Sequence, residues 1–205
     1  MPFSETWFLL EQEGLLARAC LCNGLTALRN ANLGGKKGLF YSAFFELSIG
    51  FERTMKLILI LDHMARNNLT PPDSKTIKSY GHKLISLFDS TKTVCATNGL
   101  NSLHDFQADS LPIKILFFLD HFAHTDGRYA NINKLTGHRH HALADPLVQW
   151  GEIANLIFHE QATKRQRQRA KLNGQAASAA FGYDVTCLIS DLDQQPLDVA
   201  GLYTR

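Results

Sequence analysis

The chain lacks the features that mark membrane proteins, secreted proteins and zinc-binding modules. Charges interrupt its most apolar stretches, residues 58–61 and 113–119, well before the roughly 18 apolar residues that a membrane span needs. Its four cysteines form neither a CxxC pair nor a zinc-knuckle spacing, which favours free thiols in a reducing compartment. Its first residues include Glu5, Glu11 and Glu13, without the basic segment and apolar run of a secretory signal. We therefore expect a cytoplasmic protein with no membrane segment.

The motifs of phosphate-binding and hydrolytic enzymes are also missing. The chain has no GxxxxGK phosphate loop, no GxGxxG turn and no GxSxG nucleophile elbow. Residues 34–37, Gly-Gly-Lys-Lys, resemble a phosphate loop only superficially, because they join two predicted helices and do not follow a strand. Asp120, Asp126 and Asp145 do not form a paired-carboxylate signature. These absences remove the most recognisable classes of nucleotide-hydrolysing enzyme and esterase.

Composition is ordinary, but the positive charges are unevenly placed. The chain has 205 residues, of which 45% are hydrophobic and 20% charged, enough for one sizeable core. A formal charge of +2 is too small to indicate nucleic-acid binding by itself. Residues 164–171, however, carry five positive charges: Lys164, Arg165, Arg167, Arg169 and Lys171. This basic segment is either the solvated end of a helix or a surface that contacts phosphate.

Helix signals divide the first half of the chain into three predicted helices. Ser4 can cap a first helix that runs to about residue 30, where a glycine-rich break follows. A second helix is predicted over residues 39–66. After a turn with two prolines, Asp73 or Ser74 can cap a third helix over about residues 75–93.

The second half contains two further predicted helices and a tail. Pro112 suits the first turn of a fourth helix. Residues 128–145 are predicted to be irregular, and a last long helix begins near Pro146 and runs into the basic segment. In the tail, residues 185–189 can form a strand or a docking segment. With no internal repeat and no linker of domain size, the pattern predicts one all-α domain followed by a tail.

The second predicted helix carries charges on an otherwise apolar surface. At 100° per residue, Glu52, Lys56 and His63 lie within about 40° of one another, with Arg53 and Glu46 beside them. Buried charges are costly unless they are paired or used, so two interpretations follow. The charges form either a buried ionic network that fixes the register of core helices or a polar cleft that uses Arg53 and Lys56. We favour the ionic network.

Three segments taken together resemble a known family. They are Glu52-Arg53 with Lys56, Tyr-Gly-His-Lys-Leu at residues 80–84, and Gly-Arg-Tyr-Ala-Asn at residues 127–131 ahead of Asp145-Pro146 and Trp150. Over roughly residues 5–160, the chain resembles bacterial members of the HEPN-like superfamily. The resemblance implies an up-and-down bundle of four to six long antiparallel helices over residues 1–172, commonly in a homodimer. Residues 173–205 would be a C-terminal tail that can dock on the bundle.

The chain departs from the catalytic motif of that superfamily. Its active members include metal-independent ribonucleases of toxin–antitoxin, phage-defence and RNA-processing systems. Their usual motif is an Arg followed by a His after about four to six intervening residues. Here Arg128 is followed at that distance by residues 133–135, Asn-Lys-Leu, and His138 comes too late. Either the chain is a non-nucleolytic member, or it has a rearranged site with His82, Arg128 and His138 as catalytic candidates.

The histidines allow both functional and structural interpretations. His82 can serve as a general base or contact a phosphate, because imidazole titrates near neutral pH. We favour a structural role, in which His82 bonds Glu46, Glu52 or a backbone carbonyl. The histidines of residues 138–141 suggest a metal, but no cysteine or carboxylate completes a ligand set at a recognisable spacing. We expect neither a metal nor a cofactor.

Three functions from different classes follow from these observations. The one that we favour is a non-catalytic nucleotide- or RNA-binding module in bacterial defence or stress response. Its ligand-binding candidates are Arg53, Lys56, His82 and Arg128, and its nucleic-acid-binding candidates are Lys164, Arg165, Arg167 and Arg169. The alternatives are a toxin-type, metal-independent endoribonuclease and a helical protein-interaction module, so whether the chain is an enzyme stays open. Expected partners are a second copy of the chain, RNA or a nucleotide, and a cognate antitoxin-like protein.

Overall fold

The computed structural model describes residues 4–33, 35–100, 106–124, 129–137, 145–181, 186–190 and 196–198. These residues form eight helices and one short two-stranded antiparallel sheet, which confirms the predicted all-α class. They divide into two compact units. The first unit holds the described residues within 1–31 and 38–129, and the second holds those within 32–37 and 130–205.

The first unit opens with two long helices whose bounds match the predicted ones. Helix α1, Glu5–Asn30, begins after Ser4, whose side chain accepts a hydrogen bond from the Trp7 backbone N–H. This bond satisfies one of the N–H groups that the first turn of a helix leaves without an intrahelical partner. Helix α2, Gly38–Arg66, follows directly and is the central helix of the unit, because it packs against α1 and two later helices.

The first two helices run antiparallel and approach closely at two glycines. Gly24 of α1 lies against Leu47 of α2, and Gly50 of α2 lies against Leu21 of α1. A Cβ atom at Gly24 would come within 2.7 Å of Leu47 Cγ, and one at Gly50 within 2.8 Å of Leu21 Cγ. Because neither position has room for a Cβ, the two glycines set the spacing and the register of this helix pair.

The prediction of a single third helix is wrong. In its place the structure has two helices, α3, Ser74–Ser79, which is capped by Asp73, and α4, Leu84–Thr97. Between them Gly81 has φ +68°, a left-handed conformation that glycine adopts without steric strain. The break leaves the residue at position 82 in a loop between two helices and not on a helix face.

Helix α5, Leu111–His124, completes the first unit, with Pro112 in its first turn as predicted. The core lies between α2, α4 and α5. Phe44 of α2 meets Phe118 and Phe122 of α5 edge to face, with ring centroids 4.8 and 5.3 Å apart. Leu84 and Leu87 of α4 are fully buried. These contacts hold α2 against the helices that follow it and leave one strip of α2 facing outward.

The second unit contains three helices and the sheet. The helices are α6 Ala130–Leu135, α7 Pro146–Gln161 and α8 Lys164–Phe181, and the strands are β1 Thr186–Ser190 and β2 Pro196–Asp198. The short helix α6 falls inside the stretch that was predicted to be irregular, which corrects that prediction. The strand that was considered for residues 185–189 is present as β1, paired antiparallel with β2.

The last predicted helix is interrupted before the basic segment. Helix α7 ends at Gln161, and a new helix starts three residues later with a reciprocal cap. The Thr163 hydroxyl accepts from the Gln166 N–H, while the Gln166 side-chain oxygen accepts from the Thr163 N–H. This capping box is a strong helix start, so the basic segment occupies the first two turns of α8. The prediction of one continuous helix was wrong at this point.

The division of the chain at residue 172 stays a prediction. Helix α8 spans that position without a break. Among the helices that the structure describes, none combines the length and the apolar composition needed to cross a membrane.

Candidate polar site and basic helix

A polar cluster lies on the outward strip of α2. The Glu52 carboxylate accepts hydrogen bonds from Lys56 Nζ at 2.8 Å and from His82 Nδ1 at 2.8 Å. Lys56 Nζ and His82 Nδ1 lie 3.2 Å apart. Glu52 and Lys56 are one helical turn apart on α2, and His82 reaches them from the loop between α3 and α4. The structure therefore joins two of the predicted ligand-binding residues, Lys56 and His82, around a carboxylate.

The geometry of this cluster limits where the protons can lie. Lys56 and His82 both approach the same carboxylate oxygen, Glu52 Oε1. If His82 Nδ1 carries a proton, it donates to Glu52 and has no lone pair for Lys56; if it carries none, it can accept from Lys56 only. In the first arrangement Nε2 of His82 faces away from the carboxylate. The His82 side chain is 72% exposed, whereas Lys56 and Glu52 are 18% and 27% exposed.

The protonation of Glu52 responds to these two partners. Partial burial raises the pKa of the Glu52 carboxyl, because it disfavours the charged form. Hydrogen bonds from Lys56 and His82, together with the attraction of their positive charges, outweigh burial and lower the pKa below its usual value. Glu52 is thus ionised at neutral pH and offsets the positive charge of Lys56.

The loop that carries His82 is anchored from another helix. Lys83, at the N-cap of α4, gives no side-chain cap, and Asp120 of α5 takes its place by accepting from the Leu84 backbone N–H. Tyr80, on the other side of Gly81, is partly buried, and this burial, with the nearby Asp62 carboxylate, raises the pKa of its hydroxyl. The position of His82 over α2 therefore depends on residues that are distant in sequence.

Arg53 belongs to a different contact from Lys56. Its guanidinium forms a salt bridge with Glu13 of α1, and both side chains are half-exposed. About two turns away, Glu46 accepts a hydrogen bond from the Cys20 thiol. Burial of that thiol, with the Glu46 contact, raises the pKa of Cys20. An ion pair thus joins α1 and α2, but it is half-exposed and uses Glu13, and it is not the buried network that was expected for the charges of α2.

The remaining predicted site residues are apart from this cluster or undescribed. His63 lies at the end of α2, where its backbone carbonyl accepts from the Asn67 side chain. Arg128 and His138 lie outside the described residues, so their proposed roles stay predictions. Within the described ranges, no group of three or more His, Cys, Asp and Glu side chains could hold a metal ion. The histidines of residues 138–141 lie outside those ranges.

Helix α8 carries a dense group of positive charges with no acidic residue in the same helix. Its 18 residues contain five cations and no acidic residue, and all five cationic side chains are exposed. Lys164, Arg167 and Lys171 lie within 60° of one another, while Arg165 and Arg169 lie one turn apart on another face. Arg167 donates to the His159 carbonyl at 3.2 Å. No ion pair described for this part of the chain involves an α8 cation.

Two features of these sites are not among the predictions from sequence, and only one of them has a local sequence pattern. The capping box of Thr163 and Gln166 has the S/T-x-x-E/Q spacing, so the start of α8 could have been found. The pairing of Arg53 with Glu13 joins residues forty positions apart, and no local pattern announces it.

No protein-family model, curated protein or solved structure matches this chain. The functional conclusion therefore rests on the geometry of the polar cluster and of α8.

Proposed function

We propose that this chain is a non-catalytic RNA- or nucleotide-binding protein, a helical bundle of HEPN-like type, that works in bacterial defence or stress response. The observation that carries the proposal is α8, with five exposed cations and no acidic residue. The resemblance of residues 5–160 to HEPN-like proteins supports the proposed class and setting. Phosphate contact is assigned to α8, with Lys164, Arg165, Arg167 and Arg169 as the contacting side chains.

Physical chemistry favours α8 over the polar cluster as the phosphate surface. A cation contributes to RNA binding when it releases condensed counterions, and a cation already paired with a carboxylate contributes less. Arg53 is paired with Glu13, and Lys56 is paired with Glu52. The first turns of α8 hold Lys164 and Arg165 at the positive end of the helix dipole, which strengthens the positive potential there.

The basic segment of α8 suits a contact with a short stretch of RNA backbone. At 1.5 Å per residue, residues 164–171, which hold all five cations of the 18-residue helix, extend about 10 Å along its axis. Because the cations lie on two faces, the helix can contact a strand along one face without using all five. This arrangement favours sequence-independent affinity, because phosphate contacts carry no base information.

The test compares two variants that lose the same charge. Arg165→Gln/Arg169→Gln on α8 and Lys75→Gln/Lys78→Gln on α3 each lower the formal net charge from +2 to 0, since two positive charges are removed. We expect the wild-type protein to bind single-stranded RNA in a filter-retention assay, the α3 variant to bind nearly as well, and the α8 variant at least about tenfold more weakly. Equal weakening by both variants would refute the assignment of phosphate contact to α8. A wild-type protein that neither retains RNA nor shifts its melting temperature with nucleotides would refute the proposal.

One observation favours a second candidate function, a metal-independent ribonuclease. When Glu52 holds Nδ1 of His82, it leaves Nε2 of an exposed imidazole directed away from the carboxylate. A histidine oriented in this way can take the proton of a ribose 2′-hydroxyl. In this candidate Arg128 would stabilise the charge that develops on phosphate.

The ribonuclease candidate has its own test. Cleavage of single-stranded RNA in the presence of a chelator is measured for the wild type, His82→Ala and Arg128→Ala, with Lys83→Ala as a neighbouring control. The candidate predicts cleavage by the wild type and the control and loss of cleavage in both site variants. Cleavage that persists in His82→Ala and Arg128→Ala would come from a contaminant and would contradict the candidate. If the wild-type protein does not cleave RNA, the candidate fails and the non-catalytic proposal stands.

A further inference from the structure

Helix α8 has a buried side and an outward ridge. Ala170 is half-buried and Gly174 is buried. At 100° per residue, Gln168 lies about 120–160° away from both of them around the helix axis. Gln168, Leu172 and Gln175 are exposed and lie within about 60° of one another. We call these three residues the ridge of α8.

The five cations of α8 form two columns, one on each side of the ridge. Each column lies about 40–100° from the middle of the ridge, in opposite directions around the helix axis. The first, which we call the lysine column, contains Lys164, Arg167 and Lys171, and the second, the arginine column, contains Arg165 and Arg169. The ridge is therefore flanked by positive charge on both sides, and the helix has no acidic residue to interrupt it.

Contacts at the start of α8 fix the geometry of this surface. The reciprocal hydrogen bonds of Thr163 and Gln166 close the first turn. In the second turn, Arg167 donates to the His159 carbonyl in the last turn of α7, which ties the start of α8 to the helix before it. Because the first two turns are held as a helix, the ridge and its columns keep a fixed spacing. A surface that is ordered in advance loses less entropy on binding.

The dimensions and the chemistry of this surface match the major groove of B-form DNA. An α-helix with its side chains is about 10–12 Å across, and the groove is about 12 Å wide. Phosphates border the groove on both sides, and base edges form its floor. A helix in the groove therefore needs cations on both flanks and hydrogen-bonding side chains between them, and α8 has both. The major groove of duplex RNA is deep and narrow, and side chains cannot read it.

We propose that the first three turns of α8 bind duplex DNA in the major groove. The arginine column contacts the phosphates of one strand, and the lysine column contacts those of the other. The Gln168 amide then faces the floor of the groove, where a glutamine forms two hydrogen bonds with an adenine. DNA binding of this kind goes beyond the RNA or nucleotide binding proposed above and shares with it only the phosphate contact of α8.

The wild-type protein tests the groove directly. Fluorescence anisotropy at one salt concentration compares duplex DNA with duplex RNA of the same sequence. We expect the full chain to bind the DNA at least about tenfold more tightly, because both duplexes carry phosphate charge but only the B-form groove admits a helix. Methyl green, which occupies the major groove, should compete, and netropsin, which occupies the minor groove, should not. Equal or tighter binding of duplex RNA, or competition by netropsin alone, overturns the proposal.

Two variants of α8 with the same change of charge test the ridge. Gln168→Glu and Asn173→Asp each replace an exposed amide by a carboxylate of the same shape, and Asn173 lies about 140° from Gln168 around the helix axis. Gln168→Glu should raise the dissociation constant for duplex DNA at least about tenfold, because it loses the adenine contact and places a negative charge between two rows of phosphates. Asn173→Asp should raise it only about twofold, since its carboxylate is directed away from the groove floor. Equal effects of the two variants overturn the proposal.

Single-stranded RNA separates this proposal from the proposed function. A protein that binds single-stranded RNA and does not bind duplex DNA overturns the groove proposal and leaves the proposed function standing. A protein that binds duplex DNA, but neither single-stranded RNA nor nucleotides, supports the groove proposal and refutes the proposed function. Binding of none of these ligands overturns both.

Discussion

Ionic partners decide which single cations are available to a ligand. Lys56 and Arg53 are neighbours on α2, yet each has its own carboxylate, Glu52 and Glu13. Their charges are largely compensated, so the strip on α2 that first suggested a binding cleft has little net attraction for phosphate. His82 is different, because it is exposed and held on one side only.

Glu52→Gln provides a test of the cluster through pH. Because the pKa of Glu52 is lower in the folded chain than in the unfolded one, its contribution to stability is present at neutral pH. That contribution is lost as the pH falls through the lowered pKa. We expect Glu52→Gln to reduce the melting temperature at pH 7, by an amount that corresponds to about 1 kcal/mol or less for a partly exposed pair. At pH 3 the difference should be smaller; an unchanged or larger difference would contradict the assigned pairing.

At the scale of elements, close packing and caps determine where helices meet and end. The α1–α2 pair is set by glycines, and α8 starts at a capping box. Helix α4 depends on a longer-range device, in which Asp120 of α5 supplies the cap that Lys83 does not. These devices explain why α1 and α2 form one antiparallel pair and why the loop with His82 lies over α2.

Alanine substitutions separate the close contacts from ordinary glycine positions. In Gly24→Ala and Gly50→Ala the new Cβ meets Leu47 or Leu21 below 3 Å, and overpacking should lower the free energy of unfolding by about 1–2 kcal/mol. The control is Gly14→Ala on α1, where the nearest atom, Leu57 Cδ2, is 3.7 Å away and the better helix propensity of alanine should stabilise by up to about 1 kcal/mol. Urea unfolding of the three variants measures this. Equal effects at Gly14 and Gly24 would contradict the packing.

The sequence predicts an element well when the interactions that fix its ends are local. It predicts an element poorly when those interactions join residues far apart in the chain. Ser4 and the bounds of α1 and α2 were predictable, because a cap and a long apolar pattern are local signals. The break at Gly81 was not, because apolar positions continue on both sides and the cap of α4 comes from Asp120, thirty-six residues away. For the same reason the sequence alone does not decide which of several partners His82 contacts. The contact with Glu52 depends on the path of the loop between α3 and α4.

At the scale of the whole molecule, the described residues differ in how local charge is balanced. Glu13, Glu52 and Asp62 of the first unit each pair with a cation, whereas α8 of the second unit has five cations and no acidic residue in the same helix. A formal net charge of +2 conceals this difference. It is the placement of charge, and not its total, that favours RNA or nucleotide binding.

The salt dependence of RNA affinity tests the central claim most directly. The logarithm of the association constant for single-stranded RNA is measured against the logarithm of salt concentration for the wild type, Arg165→Gln/Arg169→Gln and Lys75→Gln/Lys78→Gln. Each phosphate contact of a single strand contributes about 0.7 to the slope, so the α8 variant should have a slope shallower by up to about 1.4, and the α3 variant should keep the wild-type slope. Identical slopes for all three proteins, or a wild-type affinity that salt does not change, would contradict the assignment of phosphate binding to α8.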